Sequence, residues 1–314
     1  MTEDERYIRR CIQLAKNGQM TTAPNPMVGA VVVCDGRIIG EGYHVRCGEA
    51  HAEVNALASV RPEDEALLPQ STIYVSLEPC SHFGKTPPCA DLIIRKGLRR
   101  CVVGTVDPFA EVQGRGIQKL RDAGIEVTVG VCEDECRELN KRFFTFHQQH
   151  RPFITLKWAQ TSDGYIGSPM YKVQSTNHRL HISNTLTLIL CHKRRAEHEA
   201  ILVGRRTWEL DQPRLDVRHW VGRNPRRYIL SHTTGDIATL LHSMWADGVQ
   251  SLLVEGGRQT LQGFIDAGLW DEAFVETAPF CLNAEGTPAP QLHHAVLRDT
   301  QLFDNHRIEE WRKV

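Results

Sequence analysis

Two Pro-Cys pairs, Pro79-Cys80 and Pro88-Cys89, follow a His51-Ala52-Glu53 triplet in this 314-residue chain. Each of the three sits where the local pattern changes. His51-Ala52-Glu53 opens a stretch with helical periodicity, Glu78-Pro79-Cys80 follows a short β-branched strand, and Pro87-Pro88-Cys89 precedes a helix. One imidazole and two thiolates suit zinc, and three protein ligands leave a fourth position for water, which marks a catalytic rather than a structural site. Bringing these residues together requires a strand–helix architecture in which strand ends and helix starts converge.

The surrounding pattern supplies that architecture. Helical spacing over Glu5–Lys16 places Tyr7, Ile8, Cys11, Ile12 and Ala15 on one face. A turn-rich APNP segment leads into the apolar run Val28–Val33, and Cys34-Asp35-Gly36 signals a hairpin with Arg37–Tyr43 as its return strand. Helices are predicted over Ala50–Val60, Ala90–Lys96 and Gly116–Ala123, and strands over Thr72–Ser76, Arg100–Val106 and Glu126–Val131. This order implies a mixed, mostly parallel sheet with helices on both faces. The stretch from Thr145 to Arg151 loses apolar periodicity and is expected to hold a boundary, giving domains 1–146 and 151–314. The second half alternates again: strands over Phe153–Trp158, Ala200–Val203, Arg227–Leu230, Ser251–Glu255, Ala273–Thr277 and Arg307–Trp311, and helices over Asp236–Ala246 and Thr260–Ala267.

Charge and cysteine usage narrow the function. With 37 Lys+Arg against 38 Asp+Glu the net charge is −1, which disfavours a general polyanion binder, and no nucleic-acid partner is expected. The longest apolar runs are too short to cross a bilayer, so no membrane partner is expected. The charged N-terminus MTEDERYIRR lacks a signal core, so a cytoplasmic location is expected, where the ten cysteines stay reduced and are buried, metal-bound or catalytic.

His-x-Glu, then Pro-Cys, then a second Cys is the layout of zinc-dependent nucleobase deaminases. Glu53 is too close to His51 for independent ligation and is placed to handle the proton of zinc-activated water. Eight residues separate the thiols, where the short form has two. Together with APNPMVGAVVV, GYH, HAEVNAL and SLEPCSHFGKTPPCADLI, this long insert resembles the deaminase half of the bifunctional riboflavin-biosynthesis deaminase–reductases. The likeness continues through RPFITLKWAQTSDG, RAEHEAILVGRRTWELDQPRLDVR and LLVEGGRQTLQGFIDAGLWDE.

The resemblance implies an N-terminal cytidine-deaminase-like αβα sandwich and a C-terminal dihydrofolate-reductase-like α/β domain. It implies Zn2+ held by His51, Cys80 and Cys89, with Glu53 as catalytic proton carrier and Asn25, His44, His82 and Lys85 at the deaminase substrate. For the second domain it implies NADPH at Ala159, His181, Thr207, Asp211 and Gly257-Arg258-Gln259-Thr260-Leu261-Gln262-Gly263. Arg179, Arg195, Leu215, Arg218 and Glu255 would meet the reductase substrate. The implied activity is deamination of a phosphoribosylamino-pyrimidine, then NADPH-dependent reduction of its ribosyl group to ribityl. A homodimer through the C-terminal domain is the family expectation. The alternative is a deaminase whose second domain only binds or dimerises, because the connection after Ser231 is shorter than the family's and predicts a clipped reductase sheet. His181 stands where the family has an aromatic cofactor contact.

Overall fold

A computed structural model describes residues 1–81, 87–109, 113–167, 181–231, 235–283 and 286–314. The chain divides into two compact units, Met1–Gln149 and His150–Val314. His82, Lys85 and Arg179 lie outside the described residues.

The first unit is built on five strands, β1 (Gly29–Cys34), β2 (Arg37–Tyr43), β3 (Thr72–Leu77), β4 (Arg100–Thr105) and β5 (Glu126–Val129), in the order β2-β1-β3-β4-β5. β1 runs antiparallel to both β2 and β3, whereas β3, β4 and β5 are parallel. Asp35 and Gly36 both have positive φ (48° and 75°), the two-residue turn the sequence signals. Both faces of the sheet are covered, so its central strands β1, β3 and β4 are buried nearly throughout rather than alternating. Ala30, Val32, Ile73, Val75, Cys101 and Val103 pack against α2 (Ala52–Ala58), α3 (Cys89–Arg95) and α4 (Arg115–Asp122). Val31, Val33, Tyr74 and Val102 face α1 (Glu3–Ala15) and α5 (Glu133–Leu139). Each large apolar side chain so buried contributes about 1.5–3 kcal/mol.

Local chemistry sets the helix ends. α1 starts two residues earlier than its apolar spacing indicates, because Thr2 and Glu5 form a reciprocal capping box at 3.2 and 3.0 Å. At the far edge, Arg100 grips Asp4 through two 2.8 Å contacts, joining β4 to α1. The stretch from Thr145, read as aperiodic, is the second half of α6 (Lys141–Gln149), which buries Phe143, Phe144 and Thr145. Helix formation there rests on tertiary packing rather than on a regular stripe.

The second unit centres on β6 (Phe153–Gln160). After the short β7 (Tyr165–Gly167) come α7 (Thr185–Ala196), β8 (Ala200–Gly204), α8 (Arg205–Asp211) and β9 (Arg226–Leu230). Then follow α9 (Ile237–Ala246), β10 (Ser251–Gly256), α10 (Arg258–Asp266), β11 (Glu272–Thr277), β12 (Thr287–Pro288), β13 (Ala295–Phe303) and β14 (His306–Lys313). Its main sheet has the order β13-β14-β11-β6-β10-β8-β9, parallel from β11 to β9 and closed by the antiparallel β13–β14 hairpin. Asp236 caps α9 as expected, accepting from the Thr239 N–H at 2.7 Å. Among the described residues β9 is the last strand on its side of the sheet. No described helix is long and apolar enough to cross a membrane.

Candidate active site

The first site forms at the carboxyl end of β3, where the sheet changes from antiparallel to parallel pairing and open α/β sheets leave a crevice. His51 is the N-cap residue of α2, and its side chain makes no capping bond, which leaves the ring free to face across the sheet. Cys80 lies three residues beyond β3, and Cys89 is the first residue of α3. His51 Nδ1 is 3.5 Å from Cys80 Sγ and 3.4 Å from Cys89 Sγ. All three donor atoms lie within 4.8 Å of one another. Bond lengths of about 2.3 Å to sulfur and 2.0–2.1 Å to nitrogen about a tetrahedral centre put an S–N pair about 3.5 Å apart, so the donors fit zinc. Cys80 accepts a hydrogen bond from the Cys89 thiol, which with the His51 ring holds it well below the ordinary thiol range. The Cys89 backbone N–H also donates to it at 3.3 Å.

Glu53 lies in the first turn of α2 and is 4% exposed. Burial pushes its carboxyl up to about 7, with the charge of Cys80 adding to the shift. His44 packs edge-on against the His51 ring at 5.4 Å, and its Nδ1 lies 3.0 Å from the Ala50 carbonyl, which can only accept, so Nδ1 carries the proton. His44 Nε2 is therefore an acceptor and takes the Asn25 amide N–H at 3.1 Å. Burial holds the His44 pKa below its ordinary value and keeps the ring neutral. The Asn25 carboxamide is thereby oriented, its nitrogen engaged. Asn55, which the sequence reading missed, donates to the carbonyls of Tyr43 (2.8 Å) and Ala50 (3.3 Å), holding the main chain that orients His44. Its position in HAEVNAL, one turn after His51, was the available signal.

In the second unit residues expected at the cofactor (Ala159, Thr207) and at the reductase substrate (Glu255) lie at the carboxyl ends of three neighbouring parallel strands. Ala159 lies near the end of β6, Glu255 near the end of β10, and Thr207 in the helix that follows β8. Gly257 caps α10 with φ +71°, and a Cβ there would stand 2.7 Å from Thr207 Oγ1; the two βα turns meet only because it is glycine. Arg258 and Gln259 are exposed at the start of α10. Leu261 is buried in the core, so only its backbone could meet a cofactor, and Gln262 is engaged with the Gln291 main chain at 2.9 and 3.3 Å. Gly263 follows within the same helix, Thr260 packs against Gly204, and Asp211 ends α8. His181 is exposed.

Arg195 and Glu255 form a buried two-pronged pair at 2.8 and 2.6 Å. Arg195 also donates to the Asp216 carbonyl at 3.2 Å. Arg218 pairs with the Asp216 carboxylate, and Leu215 is buried with φ +50°. Lys157 of β6, absent from the sequence reading, faces this group. Burial opposes its charge, but Cys191, Glu255 and Glu276 outweigh that and raise its pKa. A lysine inside an otherwise apolar strand, LKW, was its signal.

Residues 1–105 match the family described as cytidine and deoxycytidylate deaminase zinc-binding region, and residues 152–236 match the RibD C-terminal domain. The chain is 40% identical to riboflavin biosynthesis protein RibD of Escherichia coli K12, over 90% of this chain and 89% of that protein. To the RibD protein of Aquifex aeolicus it is 40% identical over 88% and 87%. A crystal structure from Thermotoga maritima, of a diaminohydroxyphosphoribosylaminopyrimidine deaminase/5-amino-6-(5-phosphoribosylamino)uracil reductase, superposes with a TM-score of 0.87. It has 33% identity and 99% coverage of both chains.

Proposed function

Because this chain belongs to the RibD family of riboflavin biosynthesis, a deaminase fused to a reductase, we propose that its two units act in turn on one ribotide. The first unit deaminates 2,5-diamino-6-(5-phosphoribosylamino)pyrimidin-4-one. The second reduces the ribosyl group of 5-amino-6-(5-phosphoribosylamino)uracil to ribityl. The convergence of His51, Cys80 and Cys89 beside the buried Glu53 carries the reading of the first site.

In the first unit His51, Cys80 and Cys89 hold zinc. When bound, zinc supplies the Lewis acidity that makes water a nucleophile at neutral pH. Glu53 takes one proton from the attacking water and gives it to the ring nitrogen, then takes the second from the hydroxyl so formed and gives it to the amino group, which leaves as ammonia when the C–N bond breaks. Asn25, with its nitrogen engaged by His44, offers its carboxamide oxygen as acceptor to the pyrimidine edge. His82 and Lys85 complete the substrate set as the family pattern implies, Lys85 toward the phosphate.

In the second unit NADPH supplies the hydride. Ala159, Thr207, Asp211, His181 and the stretch from Gly257 through the start of α10 to Gly263 would hold it, the N–H groups of the first turn of α10 suiting a phosphate. Arg218, with Arg179 and Arg195, receives the substrate phosphate, and Leu215 and Glu255 fix the ribose and ring. The protein's contribution is orientation of donor carbon and acceptor carbon.

A two-step assay tests the assignment. With the diamino ribotide alone, ammonia is released and no NADPH is consumed without the second site. With the deaminated ribotide supplied directly, NADPH is oxidised in proportion to ribityl product. Ammonia release without NADPH oxidation on that second substrate rules out the bifunctional reading.

β13 supports a homodimer through the second unit. Among the described residues it is an edge strand paired only with β14, and it exposes Val296, Leu297 and Leu302. Leu302→Lys is expected to shift the light-scattering mass from dimer to monomer; a monomeric parent protein would refute the dimer.

A further inference from the structure

We propose that Glu78 is a positioning residue for the metal centre: its carboxylate ties Asp107 and the start of α4 to the main chain that carries Cys80. Glu78 stands between the end of β3 and Pro79-Cys80, and it is 4% exposed. Its carboxylate meets four backbone N–H groups. Oε1 accepts from Gly116 at 2.9 Å and Ile117 at 3.2 Å, and Oε2 from Gly114 at 2.9 Å and Asp107 at 3.3 Å. Its own N–H donates to the Thr105 carbonyl at 2.9 Å, so main chain and side chain are both tied to the exit of β4.

Three of the four donors belong to the cap and first turn of α4, whose N–H groups have no partner within the helix. A buried carboxylate supplies the acceptors they lack. The next peptide is clamped from the same side. A Cβ on Gly116 would lie 2.0 Å from the Pro79 carbonyl oxygen, so glycine alone lets α4 close on the bond that leads into Cys80. On the other side the Cys80 carbonyl accepts from Ala90 N–H at 3.1 Å, and its sulfur from Cys89 N–H at 3.3 Å. Cys80 is thus held between two sets of backbone donors, one organised by Glu78 and one by the start of α3. Glu78 itself reaches neither the donor atoms nor Glu53; it acts through Cys80.

This inference rests on the reading of Cys80 as a metal ligand, and the experiment separates the two. Zinc affinity is measured on the full chain by competition with a chromophoric chelator, alongside the thiolate absorption of the cobalt-loaded protein. Glu78→Gln keeps the shape but turns an amide toward backbone donors. It is expected to lower zinc affinity about 10- to 100-fold and to change the cobalt spectrum, with the fold retained by circular dichroism. Arg100→Ala, which breaks the Asp4 pair in the same unit, is the control: it lowers the melting temperature and leaves zinc affinity unchanged. Gly116→Ala displaces the Pro79 peptide with Glu78 intact and is expected to weaken zinc binding too. It serves as the deciding variant where Glu78→Gln does not fold. Unchanged zinc affinity in a folded Glu78→Gln or Gly116→Ala protein overturns the proposal, as does an Arg100→Ala protein that loses affinity equally. Stoichiometric zinc retained by Cys80→Ala instead overturns the ligand reading itself.

Discussion

A Glu53→Gln protein is expected to keep its zinc and lose deamination by about 10²- to 10⁴-fold, the share a positioned proton carrier contributes. Glutamine is nearly isosteric and leaves the packing of α2 intact, but it cannot take a proton from water or return it. Because Glu53 is buried beside Cys89 rather than exposed, solvent cannot readily replace it in that role. The two units have separate cores, so NADPH oxidation on the deaminated ribotide should be unchanged. Ammonia release and metal content measured on the same preparation decide the outcome. Activity that persists removes Glu53 from proton transfer; zinc lost in step with activity makes it part of the metal site instead.

Replacing Arg195 with Met is expected to destabilise the second unit by about 3–5 kcal/mol and to abolish reduction, because Glu255 is left as a buried charge without its main partner. The side chains of the pair are only 12% and 9% exposed; burial pushes the Glu255 carboxyl up, but Arg195, with Lys157 and Cys191, brings it below its ordinary range. A double variant, Arg195→Met with Glu255→Leu, removes both charges and should recover most of the lost stability. Thermal unfolding and reductase rate, read together, separate scaffold from substrate contact. Stability that returns without reduction fits a role at the ribotide. Reduction that returns with stability makes the pair a strut between α7 and β10, and the assignment of Arg195 to the phosphate is then wrong. Deamination should hold in both variants.

The strands were the most legible part of the fold. β1, β3, β4, β6, β8 and β10 are short apolar runs, buried on both faces, and they end near the residues where their patterns stop. Where the stabilising surface lay elsewhere, the pattern was faint. α5 and α6 span EDECRELNKRFFTFHQQ, with few apolar anchors among charges, so a helix ran through a segment read as a boundary. β13 is exposed along nearly its whole length and carries no alternation to detect; the Asp304-Asn305 turn and its pairing with β14 make it a strand. At the first site, residue type and spacing were enough to name the donors and Glu53, because each sits at a strand end or helix start that the local sequence marks.

By itself the sequence determined the candidate chemistry: which side chains to put forward as a metal-binding set, which one as proton carrier, and that two α/β units follow one another. Those properties depend on residue type and on boundaries written within a few neighbouring residues. The tertiary structure alone decided which groups stand together across long separations. It brought Glu78 to the amides of the α4 turn, Arg195 to Glu255 and Lys157 beside them, and it set the tautomer of His44 through Ala50. The physical reason is register. Which ends of parallel strands meet depends on how whole strands and helices pack, and that packing is the sum of many weak apolar contacts that no single segment records.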